Sequence, residues 1–107
     1  MSTTNSASNH ADGLPTWLAV TDQGVTVTLS TPAVITNIQV EKLHMRTPTV
    51  RDLRTCQKAH PNDELAVDAM MFCSLAEIGP EDLEKLTLKD YERVKRGYFR
   101  MVEEDEI

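Results

Sequence analysis

The sequence predicts an α+β domain, a small N-terminal antiparallel β-hairpin or meander followed by three to four α-helices packed on it. Three observations predict this. Alternation of apolar and polar residues is confined to the first half of the chain and is clearest at Val25-Thr26-Val27-Thr28-Leu29. Helical spacing and helix caps fill the second half. The change from one to the other falls at a single junction, Leu43-His44-Met45-Arg46-Thr47-Pro48-Thr49-Val50-Arg51-Asp52-Leu53. Strands grouped before helices, rather than alternating with them, give the order of an α+β fold. The 107 residues fit one domain. Residues 1–16 read as a disordered polar arm, 17–102 as the single α+β domain and 103–107 as an acidic flexible tail.

The arm is rich in Ser, Thr, Asn and Ala, a composition with too little apolar surface to order itself. Trp17 to Val20 either add a short edge strand or staple the arm to the domain. Asp22-Gln23-Gly24 predicts a turn. Val25 to Leu29 buries one face, Thr31-Pro32 interrupts it, and Val34 and Ile35 resume the apolar character before a turn at Thr36-Asn37. Ile38 to Arg46 is the next strand. Its phase changes, with Ile38 and Val40 on one parity and Leu43 and Met45 on the other, and a bulge near Glu41-Lys42 would return both pairs to the core.

Pro48 cannot donate to a sheet ladder and holds Thr47 extended, so the strand stops there. Thr49 caps the first helix, and Asp52 at the third helical position reaches back to it, with Arg46 orienting the turn through a carboxylate such as Asp52. Val50, Leu53 and Cys56 mark the apolar stripe of that helix, and His60-Pro61 ends it. The second helix starts at Asn62 or Asp63 and carries Leu65, Ala66, Ala69, Met70, Cys73 and Ala76 on its apolar side, broadened by Phe72. Gly79-Pro80 stops and restarts the chain, because Pro suits the first position of a helix. The short third helix ends near Leu86. Thr87-Leu88-Lys89-Asp90 repeats the capping pattern, and the last helix sets Leu88, Tyr91, Val94, Tyr98, Met101 and Val102 along one side.

A net charge of −6 and a pI near 4.9 argue against a general nucleic-acid binder, which needs a positive field to displace counterions. Lys89, Arg93, Lys95, Arg96 and Arg100 form a local basic patch, which a solvated helix face explains. The two cysteines, outside any C-x-x-C motif, suit free buried thiols in a reducing cytosol. No apolar run is long enough to cross a bilayer, and the start of the chain has no signal-peptide core, so a soluble intracellular protein is expected.

Enzyme chemistry finds no foothold. Cys56, His60, Cys73 and His44 supply four soft ligand types, but at a spacing that matches no zinc pattern, so no metal or cofactor is expected. No Gly-x-Ser-x-Gly element or phosphate-cradling glycine loop is present. Helices at 50–59, 63–76 and 80–86 imitate a helix-turn-helix bundle, but the middle one carries Asp63, Glu64 and Asp68 and no base. Surface for a protein partner remains. Tyr91, Tyr98, Phe99 and Met101 crowd the last helix, either as ordinary packing on the sheet or as an adaptable contact band.

Three segments, in this order and spacing, resemble a known family. They are Val27-Thr28-Leu29-Ser30-Thr31-Pro32, then Leu43 to Leu53 with its Leu-x-x-Arg-x-Pro-Thr-x-x-Asp-Leu pattern, then Gly79-Pro80-Glu81-Asp82-Leu83-Glu84-Lys85-Leu86-Thr87-Leu88-Lys89-Asp90-Tyr91. The chain resembles the tail assembly chaperones of contractile-tailed bacteriophages, including those of Mu-like phages and prophages, over roughly Val25 to Val102. It departs from them at Thr36-Asn37, where relatives often have Asp-Gly, and in its longer arm with Trp17. The resemblance implies a non-enzymatic protein of the host bacterial cytoplasm, absent from the mature virion, that binds the tape measure protein and assists tail tube assembly. It implies as further partners the tail tube subunits and a longer form of the chain made by programmed frameshift, this chain being the short form, with self-association left open. Arg46, Pro48, Thr49, Asp52, Leu86 and Asp90 are then a structural motif, and Tyr91, Tyr98, Phe99 and Met101 the candidate partner contacts. The alternative is a small prophage DNA-binding regulatory protein using the basic C-terminal helix, whose affinity would fall steeply with salt.

Overall fold

The computed structural model describes residues 13–103. The first twelve residues of the expected arm and residues 104–107 of the expected tail lie outside the described residues. Strands β1 (Leu18–Thr21), β2 (Gly24–Ile35) and β3 (Ile38–Arg46) form one antiparallel sheet in the order β1-β2-β3. Helices α1 (Val50–Ala59), α2 (Glu64–Ala76), α3 (Pro80–Glu84) and α4 (Leu88–Val102) follow. The predicted α+β class is the class observed.

Trp17 and its neighbours do both things the sequence allowed. Leu18–Thr21 is the edge strand, and the Trp17 carbonyl accepts a hydrogen bond from the Thr28 amide at 2.8 Å. The Trp17 ring meanwhile lies under two α4 guanidinium groups, those of Arg93 at 5.1 Å and Arg96 at 5.3 Å from its centroid. Leu14 packs against the core, so residues 13–16 sit on the domain. Both strand turns use two residues. At the first, Gly24 has φ +133° and no room for a side chain, since a Cβ there would collide with the Met45 carbonyl. At the second, Thr36 and Asn37 have φ of +51° and +66°, the pair of left-handed residues a tight hairpin turn demands.

Thr31-Pro32 interrupts the β2–β3 ladder as expected, the pairing breaking off between Thr28 and Ala33, while β2 itself runs on to Ile35. The bulge faces Glu41, near the expected place, but its extra residues belong to β2 and not to β3. Thr28 pairs with Lys42 and Ala33 with Val40, so four residues of β2 oppose Glu41 alone. Pro32 has no amide hydrogen to lose, and the amides of Ser30 and Thr31 find an acceptor outside the sheet, described below. The phase change is real, because Val40 packs against the core along with Leu43 and Met45, but Ile38 stays 64% exposed at the hairpin tip.

The core lies between the sheet and the helices, with Val25, Val27, Leu29, Leu43 and Met45 from the strands meeting Met71, Phe72, Leu75 and Val94. Burying one such side chain contributes roughly 1.5–3 kcal/mol. Helix α4 crosses β2 at Gly97, where an added Cβ would stand 3.1 Å from Val27 Cγ2 and 3.3 Å from Val25 Cγ2. The side of α4 that meets the sheet therefore holds Asp90, Val94 and Gly97, all buried. Leu88 and Val102, assigned to the apolar stripe from spacing alone, are exposed.

The apolar stripes of the first two helices also differ from expectation. In α1 only Cys56 is buried, and Val50 is 70% exposed. In α2 the buried face is Val67, Met71, Phe72 and Leu75; of the expected side Phe72 is fully buried, Ala69, Met70, Cys73 and Ala76 are only partly buried against the core, and Leu65 is 76% exposed. The reason is composition: α2 is apolar nearly all round, so periodicity offers no single stripe, and tertiary contacts choose the inner one.

Candidate functional site

The junction after β3 is built as its residues suggest. The Arg46 guanidinium makes two parallel bonds to Asp52, Nη1 to Oδ2 at 2.8 Å and Nη2 to Oδ1 at 2.9 Å. Asp52 Oδ2 also accepts from the Thr49 amide at 2.8 Å, while Thr49 Oγ1 accepts from the Asp52 amide at 3.2 Å, completing a capping box. Thr49→Ala removes one half of that box and is expected to cost about 1 kcal/mol in urea unfolding. Pro48 is half-buried where β3 passes into α1.

Asp90 has a different task from its counterpart Asp52. It is fully buried, and its carboxylate accepts from the backbone amides of Ser30 at 2.7 Å and Thr31 at 3.2 Å. Both amides belong to the β2 bulge, outside the paired register of the ladder. Arg93 completes the clamp, donating Nη1 to the Thr28 carbonyl at 2.8 Å. Leu86, in the turn before α4, packs against the core.

These carboxylates tie stability to pH. The Arg46 guanidinium, with the Thr49 amide behind it, holds Asp52 well below the usual carboxylate range. Burial alone would raise Asp90, but the Ser30 and Thr31 amides outweigh it and hold the group low. A carboxyl depressed in the fold takes up its proton more readily when unfolded. Its contribution is complete at neutral pH and is lost progressively from about pH 5 downward. Asp68 works in the opposite direction, pushed up by burial against the pull of Lys95. The urea midpoint should therefore fall from pH 7 to pH 3, and Asp52→Asn should flatten that fall.

The four candidate contact residues on the last helix are not equivalent. Tyr91 and Tyr98 are half-buried, each edge-on to Phe72 of α2 with centroids 5.8 Å and 5.4 Å apart. Met101 packs against the core. Phe99 is the exposed member, edge-on to Tyr98 at 5.4 Å. With Leu53, Val67 and the polar elbow His60–Glu64 it lines a depression of about 620 Å³. Three of the five basic residues of this helix are engaged by named groups of the fold: Arg93 and Arg96 cover Trp17, and Lys95 faces Asp68.

A more apolar concavity lies elsewhere. Ala66, Ala69, Met70 and Cys73, at i, i+3, i+4 and i+7 on α2, form one wall of a groove of about 440 Å³. Pro80 and Leu83 of α3 form the other, with His60 and Glu84 as the polar members. This is the very stripe the periodicity singled out. Its spacing was visible, but its role as a second apolar face, set beside the core face, was not. Burial pushes the Cys73 thiol up, so it stays protonated and acts as a small apolar group.

The four residues weighed as metal ligands are not assembled. Cys56 is buried, His44 bonds Thr26 Oγ1 at 3.1 Å, and among the described residues no three His, Cys, Asp or Glu are grouped to hold an ion. Nor is any helix among them long and apolar enough to cross a membrane.

Residues 26–103, nearly three-quarters of the chain, match the family model described as phage tail assembly chaperone proteins, E, or 41 or 14. No curated protein and no solved structure matches the chain.

Proposed function

This chain belongs to the phage tail assembly chaperone family, and from that premise we propose that it binds an amphipathic helical segment of the tape measure protein and keeps it soluble while tail tube subunits assemble around it. The role is non-enzymatic. It belongs to tail assembly of a Mu-like, contractile-tailed phage or prophage in the host cytoplasm, and the protein leaves before the virion is finished. A frameshifted longer form would carry the same groove and share the partner.

The observation that carries this reading is the second apolar face of α2. Beside the buried Val67, Met71, Phe72 and Leu75, the helix sets Ala66, Ala69, Met70 and Cys73, which the fold covers only in part and leaves lining an open apolar groove. A long helical partner with an unpaired apolar stripe is prone to aggregate until another surface covers it. Laying that stripe in a groove is the helix-in-groove mode of recognition. The small side chains of Ala66 and Ala69 let a partner backbone approach, and Met70 adapts to its side chains.

Filling the groove tests the assignment. Ala69→Phe should abolish co-purification with a co-expressed tape measure protein and return that protein to the insoluble fraction, while circular dichroism shows the helices intact. Met70→Ser, at a half-buried position on the groove wall, should weaken capture in the same direction, with circular dichroism again showing the helices intact. Capture at the unaltered level by both folded variants would move the partner surface elsewhere, the Phe99–Leu53 depression being the next place to look.

A further inference from the structure

We infer that the α2–α3 groove selects a cationic amphipathic helix, one whose apolar stripe is bordered by Lys or Arg. This rests on the groove being the partner site and adds the chemistry of what it accepts. The observation is the placement of charge. Between Lys58 and Lys85 the chain holds seven carboxylates and no Lys or Arg, whereas the whole chain is only −6, so the remainder is close to neutral. Both walls of the groove come from this one stretch.

Glu84 lines the groove itself, and Glu81 stands exposed one turn earlier on the same short helix. Glu64, exposed at the head of α2, lines the neighbouring Phe99–Leu53 depression instead. Four of the seven are partly answered within the fold: Asp63 accepts from the Ala66 amide at 3.1 Å, Asp82 accepts from the Gly79 amide at 3.1 Å, Asp68 faces Lys95 of α4, and Glu77 lies in the field of Arg46. The nearest cations along the chain, Lys58 and Lys85, stand at its two ends. A groove with apolar walls and an acidic α3 border, Glu84 with Glu81 beside it, sets a negative field at its mouth, which favours a cationic visitor and opposes an anionic one. Exposed ion pairs are individually weak, so two or three of them amount to about a tenfold preference that salt will erode.

Titration calorimetry on the full chain with three synthetic helical peptides tests this. One carries Leu at i, i+3, i+4 and i+7 bordered by Lys; the second has Glu in place of Lys; the third keeps the Lys and scrambles the Leu positions. The first should bind about tenfold more tightly than the second at ~20 mM salt, with the gap closing towards ~0.5 M. Glu81→Lys with Glu84→Lys should shrink or reverse the preference. Equal binding of the Lys and Glu peptides, with Ala69→Phe blocking both, overturns the charge selection and leaves the groove standing. Binding of the scrambled peptide as tightly as the patterned one, binding unaffected by Ala69→Phe, or no binding by any peptide overturns the groove assignment itself and the inference with it.

Discussion

Asp90→Ala should lower the stability of the domain by about 3 kcal/mol, because it breaks a buried, charge-assisted clamp and leaves its partners without an acceptor. The carboxylate is fully buried and receives two backbone amides, those of Ser30 and Thr31. Those amides have no place in the ladder, since four residues of β2 oppose one of β3 there. Removing the carboxylate also strips Arg93, 4.0 Å away, of its local counter-charge. Asp90→Asn keeps the volume but offers one acceptor oxygen and an NH₂ that faces a donor, so about 2 kcal/mol of loss is expected. For a domain of this size 3 kcal/mol corresponds to a fall of more than ~10 °C in Tm. A urea-unfolding loss below ~1 kcal/mol for Asp90→Ala would show that the bulge amides find water as readily as the carboxylate.

Phe72→Ala should cost more, about 4 kcal/mol, within the range for deleting a fully buried ring. Phe72 is 0% exposed and sits where α2, α4 and the sheet converge. Its ring takes edge contacts from both Tyr91 and Tyr98, at interplanar angles of 64° and 63°. Each such pair adds about 0.5–1.5 kcal/mol beyond area burial. Phe72→Leu retains most of the volume and should lose less than half as much. The near-ultraviolet signal of the tyrosines reports the same event, since their packing on α2 goes with the ring.

How far the sequence reveals this molecule depends on the range of each interaction. The Thr49–Asp52 box, the Pro80 helix start and the strand-to-helix order are settled by residues within a few positions of one another, and all are legible. Asp90 shows the limit. Thr87-x-x-Asp90 repeats Thr49-x-x-Asp52, yet Asp52 returns to its own cap whereas Asp90 reaches β2 across 60 residues of sequence. No local pattern distinguishes them. The same applies to the bulge, whose compensation lies in that distant carboxylate and not in β3. On α2 the difficulty is of another kind. Its apolar residues cover two faces, and spacing cannot say which meets the core. The groove was thus present in the sequence as a stripe without an address.

The outer edge of β3 has a consequence of its own. Among the described residues β3 pairs only with β2, so one row of its amides and carbonyls is open to another strand. Two copies joining there about a two-fold axis would align antiparallel, and the fully overlapped arrangement of Ile38–Arg46 centres on Lys42. Two ammonium groups would then stand directly opposite one another. The adjacent symmetric arrangement centres on Glu41 and sets carboxylate against carboxylate. Like charges placed so are destabilising in a sheet. Neighbouring residues of opposite sign thus oppose self-pairing of this edge in both of those registers.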